Sequence, residues 1–172
     1  KLQEDGGTDA ISIATDGKST ITNAVINAWT PPAGCLLQVV QGTHNTETGT
    51  TSTSWVATGI DVTITPSAAS SKVLVTARTS AYLNIPGHVA YYTIYRGSTN
   101  LAVDNNGFAN VHQTGSSSVD LITDLTMIWL DSPNTTSATT YQIYTRTNST
   151  SMTNNWSQNG STSVIIAQEI AG

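Results

Sequence analysis

Through much of this chain, apolar and polar positions alternate with a period of two. Val62 and Ile64 alternate with Asp61, Thr63 and Thr65; Val73, Val75 and Ala77 with Leu74, Thr76 and Arg78; Tyr141 and Ile143 with Gln142. Successive side chains of a strand point to opposite faces, so this pattern predicts strands with one face against a core. Clusters of Gly, Asn, Ser and Pro end the runs, which places strands at 35–43, 54–56, 60–65, 72–79, 89–96, 100–103, 119–130, 139–146 and 163–170. In the longest, VDLITDLTMIWL, both faces are apolar from Met127 onward. That predicts cover on both sides, from a second sheet or from another subunit. Residues 21–29 (ITNAVINAW) have room for a helical turn or two, but no segment combines a sustained 3.6 period with helix formers.

The first 31 residues read differently. Ile11 and Ile13 alternate with Ser12 and Ala14, Asp16-Gly17 makes a turn, and Thr20-Ile21-Thr22 extends again, the pattern of a short hairpin. Two strands with so few apolar side chains are marginal in water, so this hairpin needs a neighbour. Pro31-Pro32 and Gly34 punctuate the chain there. The expected organisation is a shaft-like N-terminal β segment, 1–31, followed by an all-β domain, 32–172, built as an antiparallel β-sandwich or jelly roll. The start at Lys1 suggests a fragment or processed product.

Composition strengthens the β reading. The chain holds 30 Thr, 19 Ser and 13 Asn, whereas only 10% of its 172 residues are charged. Ser and Asn compete for backbone hydrogen bonds in a helix, and β-branched Thr, Ile and Val favour a pleated strand. A net charge of −5, with six Lys and Arg in all, leaves no basic stripe for nucleic acid. No apolar run is long enough for a membrane span, and 1–6 lacks the pattern of a secretory signal. Cys35 is the only cysteine, so no intrachain disulfide is possible.

Candidate chemistry is sparse. His44, His88 and His112 have no nucleophile signature around them, and no motif spacing predicts zinc, calcium or another metal or cofactor. Asp120 and Asp124 should share one strand face, where a solvated-face reading outweighs a glycosidase pair. Asp104-Asn105-Asn106-Gly107 is explained by a turn requiring positive φ. The four Asn-x-Ser/Thr sequons match what chance gives in so Ser- and Thr-rich a chain. What remains is a set of aromatic and amide side chains in apparent loops: Tyr82 and Asn84 before Pro86-Gly87-His88; Asn106, Phe108, Asn110 and His112; and Asn154, Asn155 and Trp156. Aromatic faces beside amides suit sugars, whose apolar face stacks on a ring while their hydroxyls pair with amides. The candidate ligand-binding residues are therefore Tyr82, Asn84, His88, Asn106, Phe108, His112, Asn154, Asn155 and Trp156. Buried anchors look the same in sequence, and Trp29, Trp55, Trp129 and Trp156 each have a packing reading.

LLQVVQGT at 36–43, followed by TTSTSWVATGIDVTITPSAASSKVLV, resembles the opening of a domain found at the C-terminal ends of bacteriophage tail-fibre and related virion proteins, particularly of marine phages. Tyr95-Arg96-Gly97-Ser98-Thr99, Leu130-Asp131-Ser132-Pro133 with TTSATTYQI, and the closing STSVIIAQEIAG are similar to its later blocks, in order, over roughly 35–172. The resemblance implies a β-sandwich knob, commonly a homotrimer, on a fibrous stalk in the virion, with loops 80–88, 104–117 and 147–162 free to vary and to meet a host-surface glycan or protein receptor. Cys35, Trp55, Trp156 and the low charge depart from that pattern. Two further readings are a capsid-decoration or head-fibre protein and a carbohydrate-binding module of a secreted enzyme, which would carry a linear array of exposed aromatics. A two-carboxylate hydrolase is the least supported.

Overall fold

The computed structural model describes residues 12–13, 19–20, 31–115 and 120–172. The chain divides into two compact units, Lys1–Pro31 and Pro32–Gly172. In the first, β1 (Ser12–Ile13) pairs antiparallel with β2 (Ser19–Thr20). The expected turn at Asp16-Gly17 and the helical turn at 21–29 lie outside the described residues.

The second unit is all-β, with antiparallel sheets packed as a sandwich. Its strands are β3 (Leu36–His44), β4 (Thr48–Thr50), β5 (Val56–Ile64), β6 (Lys72–Leu83), β7 (Val89–Arg96), β8 (Thr99–Asn100), β9 (Ala109–His112), β10 (Leu121–Asp131), β11 (Thr139–Thr147), β12 (Asn154–Trp156) and β13 (Ser163–Ile170). The long β6 organises the first sheet. β10 pairs with it from residue 73 to 83, whereas its other side is shared by β13 along 72–78 and β12 along 81–83. β3 and β4 lie outside β13 and β12, respectively. The second sheet runs β5-β11-β7, with β8 and β9 both on β7.

The period-two pattern fixes which side chains enter the core. Ile60, Val62 and Ile64 of β5, Val73, Val75 and Ala77 of β6, Tyr92 and Ile94 of β7, Tyr141 and Ile143 of β11, and Ile165 and Ala167 of β13 are buried between the sheets. The strands predicted at 54–56 and 60–65 are one strand with a bulge, where Ala57 and Asp61 of β5 face Tyr144 and Gln142 of β11. Thr58 fills the gap, its Oγ1 donating to the Ile143 carbonyl at 2.7 Å. The segment predicted at 100–103 pairs only at Thr99–Asn100, and β6 runs four residues beyond its predicted end.

The two edges of the sandwich are closed differently. At one edge β3 crosses β5 so closely that a Cβ on Gly42 would collide with the Asp61 carbonyl, so glycine is required there. At the other, Asp131 at the end of β10 is 6% exposed and accepts from Arg96 Nη1 of β7 (2.8 and 2.9 Å) and from the Tyr141 hydroxyl of β11 (2.7 Å). Burial, reinforced by this bond to Asp131, pushes the Tyr141 hydroxyl up and keeps it a neutral donor.

One core position holds a carboxylate. Glu169 of β13 is fully buried, yet it accepts from the Ser67 backbone N–H and hydroxyl (both 2.7 Å) and from Gln38 Nε2 (2.5 Å). Burial alone would raise its pKa, but the Ser67 and Gln38 bonds outweigh it and hold it at about 2, below the usual 4.5. Because the folded protein holds this proton less tightly than the unfolded chain, the contribution is complete above the unfolded pKa. It is lost as pH falls from about 4.5 towards 2, and is worth up to about 3 kcal/mol at about 1.4 kcal/mol per pH unit. Urea midpoints measured at pH 7 and pH 3 should differ more for the wild type than for Glu169→Gln; an equal difference would refute this account.

Candidate functional site

The residues marked out from the sequence fall into three environments. Asn154 and Trp156 are not loop residues but point inward from β12, 0% and 2% exposed. Asn154 links the sheets, accepting from the Tyr92 hydroxyl (2.7 Å) and donating from Nδ2 to Thr145 Oγ1 (2.8 Å), while the Trp156 indole N–H donates to the Thr58 carbonyl (2.8 Å). Neither presents a face to a ligand. Phe108 is partly buried, packed on the core with its ring 5.2 Å from that of Trp129.

Tyr82 and Asn155 come together as cross-strand partners on the outer face of the first sheet. Both are already engaged, since the Tyr82 hydroxyl donates to Asp120 (3.0 Å) and Asn155 Nδ2 to Glu47 (2.9 Å). Asn84 Oδ1 accepts from the Thr153 N–H at 3.0 Å, which holds two loops together. The His88 carbonyl accepts from the Gln113 N–H at 3.2 Å. Asn106 sits exposed in the 104–107 turn, where its N–H bonds Asp104 Oδ1 (2.8 Å) as an Asx turn. His112 is exposed on β9 opposite Val89.

His112 leads to a surface that loop reasoning does not find. The outer face of β7 and β11, in the phase where a solvated strand would carry small polar residues, bears Tyr91, Tyr95 and Tyr144. Arg146 of β11 lies directly opposite Tyr91 and is clamped between two rings, its guanidinium carbon 4.1 Å from the Tyr91 centroid and 5.2 Å from that of Trp55. Its Nη2 donates to the Asn105 carbonyl (2.7 Å). Among the described residues no carboxylate pairs with it. Gly107 makes this packing possible. Its φ is +75°, and a Cβ there would collide with the Tyr92 carbonyl and stand 3.0 Å from Trp55 Cη2. Beside the clamp, Tyr95 and Tyr144 stack with centroids 3.9 Å apart, and burial together with Tyr144 raises the Tyr95 pKa. Gln142 lies across from Tyr95 and Asn110 across from Tyr91, which puts amides next to the rings.

The result is a strip of partly buried aromatics, a guanidinium held between two of them and amides, most of it carried on sheet strands. Such a strip can stack the apolar face of a sugar and pair its hydroxyls with amide and guanidinium groups. Phase along the strand is the sequence signal for it, since Tyr91, Tyr95 and Tyr144 occupy positions opposite to the core set Tyr92, Ile94, Tyr141 and Ile143.

A nucleophilic reading has one geometric basis. His44 Nδ1 lies 3.1 Å from Ser157 Oγ, and Ser157 has φ 50°. Ser157 is fully buried and shares its hydroxyl with Ser163 at 2.9 Å, so a substrate carbonyl has no approach to it. Among the described residues no group of three His, Cys, Asp or Glu side chains could hold a metal ion.

No protein-family model matches this chain, and no curated protein matches it either.

Proposed function

We propose that this protein is a non-enzymatic virion surface domain, the C-terminal part of a bacteriophage tail fibre, that binds a host-surface glycan on the outer face of β5-β11-β7. The observation that carries the binding part is the strip formed by Trp55, Arg146, Tyr91, Tyr144 and Tyr95. The placement in a virion rests on the blocks that resemble tail-fibre domains. Stacking contributes about 0.5–1.5 kcal/mol per aromatic contact beyond area burial, so a single strip binds weakly. Three strips on one homotrimeric fibre tip would raise the effective concentration of the second and third contacts without new chemistry. Preorganisation supports this mechanism, because rings already held by strands and by a cation lose little rotamer freedom on binding.

The same strip also suits a carbohydrate-binding module of a secreted enzyme, whose expected mark is an array of exposed aromatics on a sheet face. The two readings share the site and differ in assembly and attachment. A capsid-decoration role would use the sandwich without the strip.

Titrating a panel of bacterial surface polysaccharides against intrinsic tryptophan fluorescence tests the site. At least one glycan should bind, and Tyr144→Ala and Arg146→Ala should each weaken it about 5- to 30-fold, the effect of 1–2 kcal/mol. Binding unchanged in both variants would remove the strip from the mechanism.

A further inference from the structure

We propose that the outer face of the first sheet, across β10, β6, β13 and β3, is covered by a second copy of this chain. Among the described residues six large apolar side chains are exposed, and five of them (Leu36, Val39, Ile122, Ile128 and Leu130, each 47–61% exposed) lie in register on this face. Inner partners continue the surface. Leu130 lies opposite Leu74, Leu74 opposite Gln168, and Gln168 opposite Val39, a row that crosses all four strands. A solvated sheet face alternates polar residues outward. This one places isoleucine and leucine at the ends of its edge strand, where an unprotected apolar edge invites association.

Size and charge point to the occupant. Four strands by about seven residues cover roughly 19 Å by 24 Å, or about 450 Å² in projection and more in accessible area. Thr76, Arg78, Asp124, Thr126, Gln41 and Thr43 interleave with the apolar rows, the mixed composition of a protein interface, and the face spans more than half of the roughly 800 Å² per partner of a standard one. Its charges nearly cancel: Arg78 pairs with Asp124 at 2.7 Å, Lys72 stands at one end, and Asp120 accepts from Tyr82 at the other. A face of balanced charge does not repel its own copy, whereas an anionic polymer or lipid surface would require an excess of cations. The strip on the opposite sheet is left open, and the inference does not depend on what that strip binds.

Light scattering on the full chain, with Ile128→Lys/Leu130→Lys as the test variant and Thr63→Lys on the opposite face as the control, decides it. The wild type and the control should have a mass that is a multiple of 18.1 kDa, about 36 or 54 kDa, and the double variant should fall to about 18 kDa with an unchanged far-UV circular dichroism spectrum. If the double variant does not fold, hydrogen exchange on the wild type replaces it, and the β10 and β3 amides should become less protected on dilution. A monomeric wild type at tens of micromolar, or a folded double variant that keeps its mass, overturns the proposal. Glycan titration of the same double variant keeps the two proposals separable, because loss of mass with retained per-chain affinity leaves the strip reading intact.

Discussion

Replacing Asp131 by alanine should destabilise the protein by about 3–5 kcal/mol, because it leaves the Arg96 guanidinium partly buried without its counter-charge. Arg96 Nη1 has both Asp131 oxygens within 2.9 Å and otherwise bonds the Ser132 carbonyl at 3.3 Å, an acceptor that carries no charge to replace the carboxylate. The Tyr141 hydroxyl loses its acceptor in the same step, and an unsatisfied buried donor costs about 1–3 kcal/mol. Asp131→Asn keeps an acceptor for Tyr141 but not the charge and should remain most of the way down. The double change Arg96→Met/Asp131→Leu removes the charge together with its partner and should recover much of the loss. Urea denaturation followed by circular dichroism gives each value. A cost below about 1 kcal/mol for Asp131→Ala would mean that Arg96 finds water instead.

The second large effect is expected at Trp156. Alanine there removes a side chain that is 2% exposed and orphans the Thr58 carbonyl in the β5 bulge, so the expected cost is about 3–5 kcal/mol. Phenylalanine fills much of the space but cannot donate, and should cost about 1–3 kcal/mol for the unpaired carbonyl. Glycan affinity should be unchanged in Trp156→Phe. If affinity collapsed while the thermal midpoint stayed, Trp156 would belong to the binding surface rather than to the core.

Trp156 also shows where sequence reasoning reached its limit. Period two identified the inward residues of β5, β6 and β11, because those strands are long enough for alternation to show. β4 (TGT), β9 (ANVH) and β12 (NNW) span three or four residues each and are mostly Thr, Gly, Asn and His. Those residues signal turns, and the strands exist only because long neighbours offer backbone partners. NNW therefore reads as a loop, although pairing with Leu83–Ala81 turns Asn154 and Trp156 inward and leaves only Asn155 outside. The candidate site was obscured by the opposite error. Tyr91, Tyr95 and Tyr144 fall inside predicted strands, where tyrosine is common, and the clamp on Arg146 joins residues 55, 91 and 146, a proximity that depends on which strands pair. The apolar second face of 119–130 was legible from sequence; that the described strands of the sandwich leave it uncovered was not, since that depends on how those strands pair.

The two closures of the sandwich bear on how it carries load. Gly42 seats β3 on β5 along one edge, and Asp131 fastens β10 to β7 and β11 along the other. A tether gripping one sheet and a ligand gripping the other would pull them in opposite directions, shearing the layer between. Riveted on both sides, the sheets cannot slide without breaking a buried ion pair or forcing one backbone through another. The domain is thus braced against shear between its two sheets, the load that the proposed role at a fibre tip would place on it.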